Sequence, residues 1–126
     1  MRPMVSNSLL RILPRHLYQK DEVIFREGDL PEYAYIVIRG SVFIVKKNAD
    51  KVTLLTTLGP NQMFGELALF ELKPRSATAI AGELTEVLRV TPEQFAAKVG
   101  KLDGFMRYLV GYMTDRIKDL SARIEY

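Results

Sequence analysis

Between Val23 and Val90 the chain is cut by turn-forming residues into short runs rich in β-branched and aromatic side chains, and this pattern constrains the fold more than any other feature. Val23-Ile24-Phe25 is followed by Glu27-Gly28-Asp29, and Tyr33 to Ile38 by Arg39-Gly40. Ser41 to Lys47 and Val52 to Leu58 flank Asn48-Ala49-Asp50, whose polar side chains suit a hairpin loop, and Gly59-Pro60-Asn61 closes the second of these runs. Ser76 to Ala81 and Glu86 to Val90 read as further strands. Strands this closely spaced, with no helix of ordinary length between them, predict an antiparallel roll or barrel and argue against a parallel α/β sheet.

After Val90 the period changes. Thr91-Pro92-Glu93-Gln94 supplies a capping Thr, a Pro at the first helical position and a Gln three residues after the cap, which predicts a helix running to about Val99. A second helix begins near Asp103 and continues to about Glu125, roughly 34 Å at 1.5 Å per residue. At the other end, Ser8 caps a short helix over Leu9 to Leu13 that stops near Pro14. The expected fold is therefore mainly β within the α+β class: an antiparallel β-roll of jelly-roll type with a short internal helix and C-terminal helices. Residues 1–19 form a short helical lead-in and residues 20–126 one domain, with the roll over about 20–90 and the helices over about 91–125.

Composition narrows the function classes. With 48% hydrophobic and 26% charged residues the chain is built to bury one core. Its 18 Lys and Arg against 15 Asp and Glu are spread without a basic run, so nothing points to nucleic acid or to a membrane surface. The absence of Cys removes thiolate nucleophiles, disulfides and thiolate metal sites and is compatible with a reducing, cytoplasmic setting. Arg11, Pro14, Arg15 and His16 interrupt the apolar residues of the lead-in far short of a spanning or secretory segment.

The stretch that carries chemistry is Phe64-Gly65-Glu66-Leu67-Ala68-Leu69-Phe70, followed after Glu71-Leu72-Lys73 by Pro74-Arg75-Ser76-Ala77-Thr78. Gly65 allows close backbone approach, and Glu66 to Phe70 spans one helical turn whose free N–H groups would face an anion. Arg75 adds a permanent planar cation suited to two phosphate oxygens, and Ser76 can donate one more hydrogen bond. A carboxylate at Glu66 would repel a phosphate unless it does something else, and accepting a hydrogen bond from a ribose hydroxyl is such a use. Each residue alone would be an ordinary turn or solvated charge; the ordered set points to a sugar joined to a phosphate.

This stretch resembles the phosphate-binding cassette of the cyclic-nucleotide-binding domain family, Phe-Gly-Glu-(Leu/Met)-Ala followed by (Pro)-Arg-(Ser/Thr/Ala)-Ala-(Thr). Glu22 to Asp29, Tyr35 to Gly40 and Leu58-Gly59-Pro60 are similar to the family's upstream strands and turns, and the likeness extends from about Lys20 to the end. The resemblance implies cAMP or cGMP as ligand, with Arg75 on the cyclic phosphate, Glu66 on the ribose 2′-hydroxyl, backbone N–H groups around Gly65 to Ala68 assisting, and Phe64, Leu67, Ser76 and Ala77 completing the pocket. Two departures stand out. Asn61 occupies a turn position where many relatives have Gly, and Asn tolerates the left-handed backbone such a turn needs. Ser76 lies between the small apolar residue common in cAMP-selective kinase domains and the Thr of cGMP-selective ones, which leaves base preference open.

In the long helix Met106, Val110, Met113, Ile117, Leu120 and Ile124 form an a/d seam of nearly three heptads, which predicts pairing with a second copy through residues 103–125. Phe105, Leu109 and Tyr112 widen the first half, so that this half faces the roll and the second half meets a partner; packing on its own domain alone is the competing reading. The resemblance implies a lid that closes over the base, with Arg107, Tyr108, Leu109, Tyr112 and Arg116 as candidate contacts and a hinge near Gly100 to Gly104. An enzyme reading fails on ligands and nucleophiles: His16 is the sole His, no catalytic set can be assembled, and neither a metal nor a cofactor other than the nucleotide ligand is expected. A DNA-binding regulator would need a helix-turn-helix module for which no residues remain before Tyr126. A ligand-free dimerisation scaffold is the remaining alternative.

Overall fold

The computed structural model describes residues 10, 11, 13–94, 97, 101 and 103–124; the side chains of Leu67, Phe70, Glu71, Thr114 and residues 116–124 are outside that description. Eight strands run β1 Arg15–Tyr18, β2 Val23–Phe25, β3 Ala34–Arg39, β4 Val42–Asn48, β5 Lys51–Leu58, β6 Met63–Phe64, β7 Thr78–Ala81 and β8 Thr85–Val90. They form two four-stranded sheets, ordered β1-β8-β3-β6 and β2-β7-β4-β5, with every pairing antiparallel. Helix α1 covers Glu66–Glu71 between β6 and β7, and helix α2 covers Gly104–Ile124. This is the roll expected from the spacing of the strands.

Period-two alternation sets the core. Tyr35, Val37, Val42, Ile44, Ala79, Ala81 and Val87 turn inward and pack with Tyr18, Phe64 and Ala77. The intervening Ile36 and Leu88 turn to the opposite face, where they meet Leu13. The hairpin between β4 and β5 turns at Ala49 and Asp50 as expected, with Ala49 at φ 54°. Asn61 takes φ 70° in the turn after β5, the left-handed conformation anticipated for it, and its N–H donates to the Val37 carbonyl at 2.8 Å. At the end of β8 the Thr91 and Gln94 side chains cap each other's N–H groups at 3.0 and 2.9 Å, the reciprocal box read from that tetrapeptide.

Three expectations need correction. Residues 15–18 belong to the roll, not to a helical lead-in: β1 pairs with β8 from Arg15 opposite Leu88 to Tyr18 opposite Thr85. Arg-His-Leu-Tyr shows no apolar alternation, and the strand is imposed by the free edge of β8 and by Leu13 packed on Leu88, a tertiary effect no local pattern reveals. β6 has only two residues and was equally invisible. β7 begins at Thr78, not Ser76, because Arg75 is tied away from the ladder: its N–H donates to the Asp29 carbonyl and its carbonyl accepts from Gly28 N–H, both at 2.8 Å. Of the lead-in helix the structure describes Leu10 and Arg11 as helical, and of the helix after Thr91 only residues 92–94 and 97; of the hinge expected near Gly100 to Gly104, residues 100 and 102 lie outside the described residues. Among the described residues no helix is long and apolar enough to cross a membrane.

Candidate functional site

The site forms where β6 hands over to α1. Gly65 precedes the helix at φ 79°, a conformation L side chains rarely adopt, and a Cβ built there would lie 2.8 Å from Arg75 Nη1. Glycine is required twice over, by the backbone and by the guanidinium pressed against it. The helix closes at Leu72, also left-handed at φ 54°.

Arg75 reaches back under this turn and is only 4% exposed. Nη1 donates to the Gly65 carbonyl at 2.6 Å and Nη2 to the Tyr33 carbonyl at 2.5 Å. The guanidinium lies 4.1 Å from the centroid of the Phe25 ring. Nε is buried without a hydrogen-bond partner, and among the described residues no carboxylate is bonded to the fork. Burial pushes the Arg75 guanidinium below its ordinary pKa, against the attraction of Tyr35, Glu66, Asp29 and Glu32. A desolvated cation with a spare donor is expensive unless an anion completes it.

Glu66, half-buried in the first turn of α1, is one of the charges that Arg75 feels. Burial raises its carboxyl above the usual range, with a backbone hydrogen bond and Arg75 pulling the other way. Phe64 and Ala77 are buried beside the pair and Ala68 is half-buried. Ser76 keeps its side chain exposed, while its carbonyl accepts from Lys46 Nζ at 3.1 Å. The turn thus holds a guanidinium, a carboxylate, a glycine backbone and a small wall residue within one short segment, which is what a phosphorylated sugar needs. The Leu67 side chain lies outside the described residues.

The lid candidates are not gathered at this site. Tyr108 is 70% exposed, and Arg107, Leu109 and Tyr112 also stand on the open surface of α2, where the rings of Tyr108 and Tyr112 stack at 6.4 Å. The Arg116 side chain lies outside the described residues. Phe105, expected with Leu109 and Tyr112 to face the roll, is 71% exposed. Sequence reading also missed Phe25, Tyr33 and Tyr35, which build the wall around Arg75, and Arg89, whose guanidinium sits 4.6 Å over the Tyr33 ring. Alternation through 33, 35 and 37 would have placed the two tyrosines on the inner face. His16, the sole His, is half-buried in β1 with its ring 4.6 Å from that of Tyr18.

Fold and local geometry together define a class: a small antiparallel roll with a short helix set against a buried arginine. The family model for the cyclic nucleotide-binding domain matches residues 15–101, and the chain belongs to that family. It is 30% identical over 126 residues to the cyclic AMP receptor protein of Thermus thermophilus, covering 99% of this chain and 58% of that protein. It is 31% identical over 94 residues to the cAMP-dependent protein kinase regulatory subunit of Dictyostelium discoideum, covering 71% of this chain and 29% of that one. Among solved structures it resembles EAL enzyme Bd1971: the half-site-occupied form superposes with a TM-score of 0.78 at 31% identity, covering 86% of this chain and 98% of that one. The cAMP-bound form of the same enzyme gives 0.70 at 31% identity over 88% of this chain and 30% of that one, and a cGMP-bound form is also similar. The chain spans about half the length of the cyclic AMP receptor protein it matches. One of these curated relatives is named as a receptor and the other as a regulatory subunit, while Bd1971 is named as an enzyme.

Proposed function

We propose that this chain is a cyclic-nucleotide sensor, without catalytic activity of its own, that binds cAMP or cGMP in the cassette and passes occupancy to the C-terminal helix. The observation that carries this reading is Arg75: a buried guanidinium whose fork rests on two backbone carbonyls and whose Nε has no partner. A cyclic phosphate supplies the anion that such a group lacks, through charge-assisted bonds stronger than those to neutral carbonyls. Glu66 accepts the ribose 2′-hydroxyl, and the backbone between Gly65 and Ala68 donates to the phosphate. Engaging the spare Nε while the fork keeps its contacts with Gly65 and Tyr33 draws the turn carrying α1 toward the ligand. Arg107, Tyr108, Leu109, Tyr112 and Arg116 lie on the helix that closes over the base, and a ligand shifts this equilibrium only by its different affinity for the open and closed states.

A second reading, a ligand-free scaffold that pairs through residues 103–125, draws on the exposed apolar row of α2. Calorimetric titration of the purified chain with cAMP and with cGMP separates the two. Saturable binding of either nucleotide at one site per chain is expected; no heat from either at millimolar concentration would leave the scaffold.

A further inference from the structure

A second arginine points into the roll. Along β8, Thr85 and Val87 are fully buried, and Leu88 turns to the opposite face with Leu13 and Ile36, so alternation places Arg89 on the inner face. It lies opposite Tyr35 across the β3–β8 ladder. Its guanidinium covers the Tyr33 ring at 4.6 Å and its charge favours ionisation of the Tyr18 hydroxyl, while among the described residues its Nε is buried without a partner. Leucine would fill such a place at a lower desolvation cost. What the guanidinium does there is grip Tyr33, the residue whose carbonyl holds Nη2 of Arg75. Tyr33 is therefore clamped twice, by its ring and by its carbonyl. Its ring also packs edge-on against Tyr35 at 6.0 Å, and Tyr35 stacks on Phe64 at 4.9 Å, directly before the cassette glycine.

We infer that Arg89 is a positioning residue for the phosphate-binding arginine: by fixing Tyr33 it holds the Arg75 fork in its binding orientation before ligand arrives, without touching the ligand itself. The affinity consequence rests on the sensor reading above; the ordering of Arg75 does not. Preorganising a binding group in this way removes an ordering cost that each ligand would otherwise meet.

Two readouts test it on the full chain. Calorimetry with cAMP and cGMP should show Arg89→Met weakening nucleotide binding about threefold to tenfold, the range of a cation–π contact. In the free protein, NMR-detected exchange of the Arg75 Nε–H with solvent should accelerate in the same variant. Tyr33→Leu, which removes the ring face and keeps the carbonyl, should reproduce both effects, and Tyr33→Phe should produce neither. In an Arg75→Lys background, Arg89→Met should cost less than about twofold further, because the group it positions is gone. Unchanged affinity and exchange in Arg89→Met, or an equal loss with and without Arg75→Lys, would overturn the inference. If Arg89→Met does not fold, the Tyr33 pair decides it. If the wild type binds neither nucleotide, the sensor reading falls and the Arg75 exchange rates alone decide the positioning role.

Discussion

Glu66 is where the demands of folding and binding oppose each other. Burial raises its carboxyl above the usual range, so the folded state prefers the protonated form more than the unfolded chain does. That preference stabilises the fold at pH below the ordinary carboxylate range and is lost as pH rises through the raised value, so at neutral pH the ionised side chain costs stability. Glu66→Gln should therefore melt at a higher temperature than the wild type at pH 7, with the gain disappearing near pH 4. On the proposed role of Glu66 as acceptor for the ribose hydroxyl, the same variant should bind the cyclic nucleotide about tenfold more weakly, roughly the difference between a charged and a neutral hydrogen bond. A 2′-deoxy nucleotide should bind wild type and variant alike. Lower stability at pH 7 together with unchanged affinity would remove Glu66 from the site. Glu66 and Arg75 were singled out in the sequence only as members of an ordered set with Gly65, Ala68, Ser76 and Ala77, and the structure brings them to one turn. Arg89 and Tyr33 were not singled out, since one residue in a β run shows nothing of the ring it will cover.

At the scale of elements, the turn between β6 and α1 is a joint with no slack. The backbone at Gly65 is left-handed and its outer face is filled by Arg75 Nη1 at 2.8 Å from any added Cβ. Gly65→Ala should destabilise the domain by about 1–2 kcal/mol from the backbone alone. It should also weaken nucleotide binding by displacing the guanidinium, with both losses read by thermal unfolding and titration. An alanine variant that binds normally would mean that Arg75 does not need this seat. The main strands were legible because β-branched and aromatic runs and turn chemistry agree along β2 to β5, and the Thr91–Gln94 box was legible because capping is local. β1 and β6 were not, since four and two residues hold strand geometry through partners distant in sequence.

For the whole molecule, the two sheets form a closed core while α2 carries Phe105, Met106, Tyr108 and Met113 on an exposed surface. Exposed apolar area on one helix favours covering it, and the heptad spacing read from Met106, Val110 and Met113 motivates a test for pairing with a second copy. Sedimentation should find a dimer, and Met113→Asp should shift it toward monomer while the melting of the roll changes little; a monomer at all concentrations would count against pairing.

Arg75 is the proposed seat of the phosphate, and the decisive measurement is titration of the wild type and Arg75→Lys side by side with cAMP and cGMP. Lysine keeps the charge and loses the planar fork, so the predicted result is one site in the wild type and about a hundredfold weaker binding in the variant. Equal affinity in the two proteins would contradict the assignment of the phosphate to Arg75.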